Sequence, residues 1–381
     1  MEKIYLDYSA TTPMAKEVVK AMEPYFSEKY GNPSSLHALG KEAKDALEKA
    51  RSSLAKSLNA KSVEIIFTGC GTESNNLAIK GVAFANRDKG NHIITSNIEH
   101  PAVLNPCRWL EKQGFKVTYL DVNKEGLVNP KDVEKAITKD TILVTIMHVN
   151  NEIGTIQPLA EIGKICKKKK VYFHTDAVQG FGKLPIDVKK MNIDLLSASA
   201  HKILGPKGVG LLYVNHNVKI EPIQHGGGHE SGLRSGTENV AGAVGFAKAI
   251  EIAKDMKKEM EREKKLRDKL INSLLKIEGS RLNGSRTERL ANNVNVSFKG
   301  VEGEALLIRL SQERLQVSTG SACSSKSLEP SHVLTAIGLT PVLAHGSLRI
   351  TLGRYTTEEH INHAINVIPK VINSLRKISP F

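Results

Sequence analysis

The sequence contains no apolar run approaching the roughly 18 residues that a membrane-spanning helix needs. Its beginning does not resemble a signal peptide either, because Glu2, Lys3 and Asp7 interrupt the first eight residues. These two absences predict a cytoplasmic protein that has no membrane partner. The length of 381 residues is enough for two or more ordinary domains.

Aromatic residues make up only 5% of the chain. This low content affects how the formal net charge of +14 is interpreted. Such a charge suggests nucleic-acid binding, but no aromatic side chains interleave with the basic runs to form a base-stacking surface. The run Lys254–Lys269 also mixes acidic with basic residues. A solvated charged helix face is therefore the favoured interpretation, and direct nucleic-acid binding is not expected.

Cysteine is scarce as well, and none of the four residues stands in a C-x-x-C pair. This spacing supports neither a zinc site nor a disulfide framework. His225 and His229 are separated by three glycines, which would make a floppy chelate with no third ligand nearby. The sequence predicts no resident metal.

Residues 60–215 alternate short β-branched runs with helical stretches, which is typical of a largely parallel sheet covered on both faces. The predicted strands are Glu64–Thr68, His92–Ser96, Lys116–Leu120, Ile142–Met147, Val171–Thr175, Leu195–Ser199 and Val209–Val214. The predicted helices between them are Ser74–Asn86, Ala102–Gln113, Pro130–Ala136 and Leu159–Lys169. Functional residues should lie just after the strands, because such sheets bind ligands beyond the carboxyl ends of their strands.

The last third of the chain predicts a smaller α+β domain. One long helix, Val240–Lys276, should connect it to the first domain, since apolar residues recur there in helical register. The further predicted elements are the strands Asn293–Phe298 and Ser347–Leu352 and the helices Glu302–Leu310 and Thr357–Lys377. We therefore expect a large domain over residues 15–255 and a small domain formed by residues 1–14 and 256–381.

Three strand ends carry candidate chemistry. The first strand runs into Gly69–Ser74, where two glycines and a helix N-terminus would suit an anion. Asp176 follows another strand, and a buried carboxylate there needs a partner such as a protonated pyridine nitrogen. Lys202 follows a third strand, where partial burial and neighbouring cations would favour a Schiff base.

Taken singly, these features have commoner explanations: a capped glycine turn, a helix-capping aspartate and a surface lysine. Together they form the arrangement that a pyridoxal phosphate site requires. The lysine would bind the cofactor covalently, the aspartate would keep the ring nitrogen protonated, and the helix N-terminus would hold the phosphate.

Short motifs over nearly the whole chain resemble those of the cysteine desulfurases, in the family's order. The match is closer to the NifS/IscS branch, which supplies sulfur for iron–sulfur clusters. The motifs are Tyr5–Pro13, Gly31–Ser35, His148–Gly154, His201–Lys202, Arg234–Thr237 and Gly320–Cys323. The resemblance implies the α/β fold of fold-type-I pyridoxal-phosphate enzymes and a homodimer.

The resemblance also assigns roles to individual residues. Lys202 would be the Schiff-base lysine, Asp176 the partner of the pyridine nitrogen, Gln179 a contact of the phenolic oxygen, and His100 a ring-stacking residue. The phosphate would be bound by Gly71, Thr72, Ser199 and His201, with Thr237 reaching across from the other subunit. Asn151 would lie at the cofactor and, together with Arg349, would hold the substrate carboxylate. The sequence departs from the family at Gly69-Cys70, where members usually have Ser-Gly, so the conformation of this loop stays open.

Cys323 would accept the sulfur from the substrate L-cysteine and pass it to an acceptor protein such as an iron–sulfur scaffold. Its small polar neighbours predict an exposed loop and a reactive thiol. A nearby base must deprotonate a thiol, and His100 is the candidate. Cys107 and Cys166 are expected to be packing residues, and Cys70 is ambiguous between a loop filler and a cofactor neighbour.

Several alternatives remain at this stage. A selenocysteine lyase or another aminotransferase-like enzyme could use the same cofactor residues, and a non-catalytic sulfur-assembly partner could keep the fold. Intact Lys202, Asp176 and Cys323 argue against the last alternative. The sequence does not identify the sulfur acceptor, and it leaves open whether Cys323 transiently ligates a cluster.

Overall fold

The structure is a computed structural model that describes residues 3–253, 256–319 and 330–377. The strands in chain order are β1 (Ile4–Tyr5), β2 (Ile65–Thr68), β3 (His92–Ser96), β4 (Lys116–Leu120), β5 (Thr141–Thr145), β6 (Tyr172–Asp176), β7 (Leu195–Ser199), β8 (Gly210–Val214), β9 (Ser280–Leu282), β10 (Asn293–Phe298), β11 (Leu315–Gln316) and β12 (Ser347–Thr351). The helices are α1 (Lys16–Met22), α2 (Pro24–Ser27), α3 (Ala38–Leu58), α4 (Gly71–Ala85), α5 (Pro101–Glu111), α6 (Pro130–Ala136), α7 (Leu159–Lys169), α8 (Val240–Ile252), α9 (Met256–Leu274), α10 (Gly303–Gln312), α11 (His332–Ala336), α12 (Pro341–His345) and α13 (Glu358–Arg376).

Seven strands form the main sheet in the order β2-β8-β7-β6-β5-β3-β4. The pairs among β4, β3, β5, β6 and β7 are parallel, and β8 alone runs antiparallel to both of its neighbours. The prediction of a largely parallel sheet is confirmed. Since the parallel strands end at one edge, the polar residues that follow them converge there.

Both faces of this sheet are covered. Successive residues of a strand point to opposite faces, and in β2 Ile65 and Phe67 pack in one core while Ile66 packs in another. The first core also receives apolar residues of α1, α3, α7 and α8, and the second those of α4 and α5. This burial on two sides explains the nearly continuous apolar composition of the strands.

The helix after β2 begins earlier than predicted. It starts at Gly71 and not at Ser74, because the Ser74 backbone N–H already donates to the Cys70 carbonyl. Cys70 is the N-cap residue of α4 and has extended backbone with φ −175°. The first residues of α4 therefore include Gly71 and Thr72, both predicted to bind phosphate.

The predicted long helix over residues 240–276 is wrong in its continuity, because the structure has α8 and α9 there, with Ala253 as the C-cap residue of α8. Its apolar residues serve two different cores. Phe246 and Ile250 of α8 pack under the main sheet, whereas Leu266 and Leu270 of α9 pack in a separate core. The apolar periodicity of residues 240–276 thus comes from two helices that pack in different cores.

The separate core belongs to a three-stranded antiparallel sheet in the order β12-β10-β9. Apolar residues of α9, α10 and α13 pack with its strands, and Ile4 and Leu6 from the start of the chain join them. The predicted strands and helices of this part are present within two residues of their expected ends. The exact domain boundaries stay a prediction.

Helix α3 lies in a region where the sequence analysis assigned no element. It spans 21 residues, and its buried face includes Leu47, Leu54 and Leu58. Over the described ranges, no helix is long and apolar enough to cross a membrane.

Arg51 of α3 forms a buried ion pair that anchors a distant loop. Its guanidinium donates two hydrogen bonds to the Glu230 carboxylate, at 2.6 and 2.8 Å, and only 10% and 2% of the two side chains are exposed. Glu230 also accepts from the Phe67 backbone N–H at 2.8 Å. The pair therefore ties residues 230–232 to α3 and β2.

We expect Arg51→Ala to lower the free energy of unfolding by about 3–5 kcal/mol, because it leaves the Glu230 carboxylate buried without its cation. The matched control is Lys41→Ala, which removes an exposed pair with Asp45 and should cost less than about 1 kcal/mol. Urea denaturation of both variants measures the difference. Equal losses in the two variants would contradict the anchoring role.

Candidate active site

A cavity of about 330 Å³ lies beyond the carboxyl ends of β2, β3, β5, β6 and β7. The predicted site residues that line it are Gly71, Thr72, His100, Asn151, Asp176, Gln179, Ser199, His201, Lys202 and Arg349. Those predicted residues therefore surround one space, although they come from separate parts of the chain. Its other lining residues include Ser9, Ala10, Cys70 and Asn75.

Lys202 lies in a short 3-10 turn, Ala200–Lys202, directly after β7. Its half-buried side chain donates from Nζ to the Ser9 carbonyl and, at 2.8 Å, to the Ala10 carbonyl. The beginning of the chain thus holds the amine at the edge of the cavity. A primary amine in this position can form a covalent bond with an aldehyde.

Asp176 is the last residue of β6, and only 5% of it is exposed. Its two oxygens accept hydrogen bonds from Asn75 Nδ2 at 2.7 Å and from the Val178 backbone N–H at 3.0 Å. Both donors are neutral, so they fix the carboxylate without supplying a counter-charge. A ring nitrogen that carries a proton would supply it.

The side-chain amide of Gln179 lines the cavity. Gln179 donates from Nε2 to the Ser9 carbonyl at 3.0 Å, the same carbonyl that accepts from Lys202. An amide nitrogen carries two hydrogens, so Gln179 has a second donor for a ligand oxygen. The start of the chain therefore positions both side chains.

The N-terminus of α4 lies at the cavity, where Gly71 and Thr72 line it, and it is suited to an anion. Backbone N–H groups of a first helical turn have no partner within the helix, and the helix dipole favours negative charge there. Ser199 lies beside Gly71, and its buried hydroxyl makes no hydrogen bond with the described residues. A Cβ at Gly71 would lie only 2.6 Å from Val178 Cγ2, so the close approach requires glycine.

The Gly69-Cys70 departure is accommodated by local contacts. Glu73 accepts from the Gly69 backbone N–H at 2.8 Å and from Arg234 Nε at 2.9 Å, which fixes the loop. Cys70 is exposed and its extended backbone suits any residue. Its side chain makes no capping hydrogen bond.

His201 contacts the beginning of the chain. Its Nδ1 lies 3.1 Å from the Thr11 hydroxyl, and its carbonyl accepts from the Thr12 hydroxyl at 2.8 Å. Burial lowers the pKa of the His201 imidazole to about 4, and Lys202 contributes in the same direction. His201 is therefore neutral at physiological pH and would bind an anion through a hydrogen bond.

His100 is the N-cap residue of α5, and its Nδ1 accepts from the Ala102 backbone N–H at 3.0 Å. Burial lowers the pKa of its imidazole, an effect that Asp176 opposes and Lys202 reinforces. The neutral ring must then carry its hydrogen on Nε2. It is a donor at that nitrogen, and it would take up a proton at Nδ1 only by giving up the Ala102 contact.

Arg349 of β12 reaches the cavity from the smaller sheet, and only 3% of it is exposed. It donates to the Asn151 carbonyl at 3.1 Å and to Asp7 Oδ1 at 2.9 Å, whereas its buried Nε has no partner among the described residues. Burial raises the pKa of Asp7, and Arg349 opposes this. The unpartnered Nε makes Arg349 suited to an anionic ligand.

Two predicted site residues are not part of this cavity. Thr237 is exposed and does not line it, so within one chain it serves no ligand there. Cys323 lies outside the described residues, as do the other residues of its motif. Its role stays a prediction.

Asp7 and Asn75 also position the site, although no role was predicted for either residue. Asp7 lies within the Tyr5–Pro13 motif, which was the available signal for it. Asn75 lies one turn into α4, and nothing in the sequence connects it with Asp176 101 residues later.

Glu99 lies beside the site and is completely buried. Its Oε1 accepts from the Ser96 hydroxyl at 2.8 Å and from the Met147 backbone N–H at 2.9 Å. Burial raises the pKa of this carboxyl to about 8, and the charge of Asp176 acts in the same direction. Glu99 is therefore mainly protonated at neutral pH and adds little negative charge.

The donor and acceptor set fits pyridoxal phosphate. Asp176 offers an anion for the pyridine nitrogen, Gln179 a donor for the phenolic oxygen, and Lys202 an amine for the aldehyde carbon. The α4 N-terminus suits the phosphate, and so does the Ser199 hydroxyl, which has no hydrogen-bond partner in the described part of the chain.

The sequence profile of the family described as aminotransferase class-V matches residues 4–363. The chain is 58% identical to the cysteine desulfurase IscS of Dictyoglomus turgidum, over 100% of this chain and 97% of that one. It is 57% identical to the IscS of Methanosarcina thermophila, over 99% and 94%.

Solved structures agree with these relatives. A NifS-like protein superposes with a TM-score of 0.92 at 41% identity, over 98% of this chain and 100% of that one. SspA in complex with cysteine superposes with a TM-score of 0.82 at 43% identity, over 93% and 99%. The predicted resemblance and fold class are confirmed.

We expect Glu99→Gln to gain stability relative to the parent protein as the pH rises from 5 to 8. The folded parent holds a proton on Glu99 that the unfolded chain releases near pH 4.5, so the stability of the parent falls across this window. The amide keeps an acceptor for Ser96 and Met147 and never ionises. The relative gain should be about 2–4 kcal/mol.

Urea denaturation at each pH measures this gain. The exposed residue Glu161 provides the control, because Glu161→Gln should leave the pH profile unchanged. Parallel pH profiles for Glu99→Gln and the parent would show that Glu99 ionises normally.

Proposed function

The chain belongs to the class-V aminotransferase family, and we propose that it acts as a cysteine desulfurase that uses pyridoxal phosphate. The observation that carries the proposal is the single cavity in which Lys202, Asp176 and Gln179 meet a helix N-terminus and Arg349. The reaction takes L-cysteine and the Cys323 thiol to L-alanine and a Cys323 persulfide. The substrate C–S bond breaks, an S–S bond forms, and the thiol proton ends on the β-carbon.

When bound, pyridoxal phosphate supplies an electron sink for the negative charge that develops on the substrate carbon. Lys202 would hold the cofactor and then carry the α-proton, with its Nζ steered by the Ser9 and Ala10 carbonyls. Asp176 would keep the pyridine nitrogen protonated, since the hydrogen bonds from Asn75 and Val178 hold its carboxylate in place without neutralising it. His100 would cover the ring.

Arg349 and Asn151 would bind the substrate carboxylate. The buried Arg349 Nε makes no hydrogen bond to any residue that the structure describes, and a carboxylate would satisfy it with a charge-assisted hydrogen bond. Asp7 holds the other side of the guanidinium, so the arginine is oriented before the substrate arrives. A thiolate is required for attack on sulfur, and His100 remains the proposed base, at the cost of its Ala102 contact.

A homodimer and a sulfur acceptor complete the proposal. Thr237 would bind the cofactor phosphate of the other subunit, together with that subunit's Gly71, Thr72, Ser199 and His201. The acceptor would be a protein that takes the persulfide sulfur, such as an iron–sulfur scaffold.

We expect Cys323→Ser to bind the cofactor and L-cysteine normally and to release at least about 100-fold less sulfide, as is typical after loss of a catalytic nucleophile. Serine is close in size and cannot form a persulfide. The assay measures sulfide and alanine after L-cysteine is added, with a visible spectrum recorded first.

The matched control is Cys70→Ser, which places a favourable N-cap residue on α4 and should keep most of the activity. Parental sulfide release by Cys323→Ser would place the sulfur carrier elsewhere. A protein that gains no visible band with pyridoxal phosphate, or that fails to lose it in Lys202→Ala, would overturn the cofactor assignment.

Mixed dimers test whether Thr237 binds the cofactor of the other subunit. Thr237→Ala should weaken cofactor binding about 10-fold or more, because it removes a hydrogen bond to a charged group. In a mixed dimer of Thr237→Ala with Lys202→Ala, one site regains both native residues only when Thr237 acts across the interface. In that case, the mixed dimer should bind cofactor tightly at half as many sites as the parent dimer. If Thr237 serves its own subunit, the mixed dimer should have no tight cofactor site.

A further inference from the structure

Lys183 is a buried lysine behind the cavity wall, and only 8% of it is exposed. Its Nζ lies 3.5 Å from Oε1 of Gln179. The nitrogen of the same amide donates to the Ser9 carbonyl at 3.0 Å. Gln179 is therefore contacted at both ends of its amide group.

The two contacts select one orientation of the Gln179 amide. In the observed orientation, the oxygen faces an ammonium group and the nitrogen faces a carbonyl. A rotation by 180° would set the NH₂ group against Lys183 and the oxygen against the Ser9 carbonyl, which creates two repulsive contacts. Lys183 and Ser9 thus enforce the same choice, and the second Nε2 hydrogen stays available to a ligand.

Lys183 does not line the cavity that would hold the cofactor. It lines a second cavity of about 120 Å³, whose lining also includes Lys202, Tyr8 and Glu263. Gln179 lines the first cavity and not the second. Lys183 can therefore act on the first cavity through Gln179 or through its charge, whereas it shares the second cavity with Lys202.

The groups around Lys183 come from both parts of the fold. Glu263 and Glu259 of α9 face the second cavity together with Arg354, and Lys202 lies on the side of the main sheet. Burial lowers the pKa of Lys183 to about 8, and the charge of Glu263 opposes this. Lys183 is thus mostly a cation at neutral pH.

We propose that Lys183 is a positioning residue that fixes the Gln179 amide, so that Nε2 donates to the phenolic oxygen of the cofactor. The inference rests on the proposed cofactor and goes beyond it, since the proposed function assigned Lys183 no role. A buried lysine retained only for packing would contact Gln179 without influencing what the amide donates to.

The test uses the pH titration of the visible absorbance of the loaded enzyme. In Lys183→Met only the Ser9 carbonyl still selects the orientation of the Gln179 amide. The amide therefore donates to the phenolic oxygen for a smaller fraction of the time. The midpoint of the titration should then rise by at least about 0.5 pH unit, because a less stabilised anion holds a shared proton more tightly. Lys124→Met, which changes an exposed lysine that lines neither cavity, should titrate like the parent.

A double variant separates positioning from charge. If Lys183 acts through the amide, Lys183→Met adds no further shift in a Gln179→Ala background. If its charge acts directly, the two shifts add and the proposal is overturned. Parental titration of Lys183→Met overturns it as well.

Lys183→Gln guards against misfolding, since its side chain stays polar and ends one bond short of Nζ; the same rise in midpoint is expected. If both Lys183 variants fold but lose the cofactor while Gln179→Ala keeps it, Lys183 does more than position the amide, and the proposal fails. A parent protein without a visible band would instead refute the proposed function.

Discussion

The segment from Ile4 to Ala15 connects the two cores, and the site depends on it. Ile4 and Tyr5 pair with β11, and Leu6 packs in the core of the smaller sheet. A few residues later the carbonyl of Ser9 accepts from both Lys202 and Gln179. The same short stretch of backbone therefore packs in the core of the smaller sheet. It also orients the Lys202 amine and the Gln179 amide at the edge of the larger sheet.

This connection also positions the oppositely charged side chains of the site. Asp7 fixes Arg349 on the smaller sheet, while Asp176 ends strand β6 of the main sheet and Lys202 lies in the turn after β7. The neutral state of Glu99 keeps a second negative charge away from Asp176. An amino acid substrate would thus meet a cationic wall for its carboxylate and an amine at the opposite side.

The sequence predicted those site residues whose position follows from the order of strands and loops along the chain. Parallel strands end at one edge, so the Gly69–Ser74 loop, Asp176 and Lys202 could be brought together from strand ends, whereas the role of Ser199 came from the family resemblance. Asp7 and Asn75 could not, because each acts through a contact with a residue far away in the chain. The break between α8 and α9 was missed because helical periodicity does not reveal which core an apolar residue joins.

The Arg51–Glu230 pair has a consequence for the loop that carries Thr237. Because Glu230 is held by α3 and β2, much of the conformational entropy of this loop is lost when the chain folds. A loop ordered in advance binds its ligand without losing that entropy again. The start of the loop that leads to Thr237 is thus ordered by an ion pair within its own subunit.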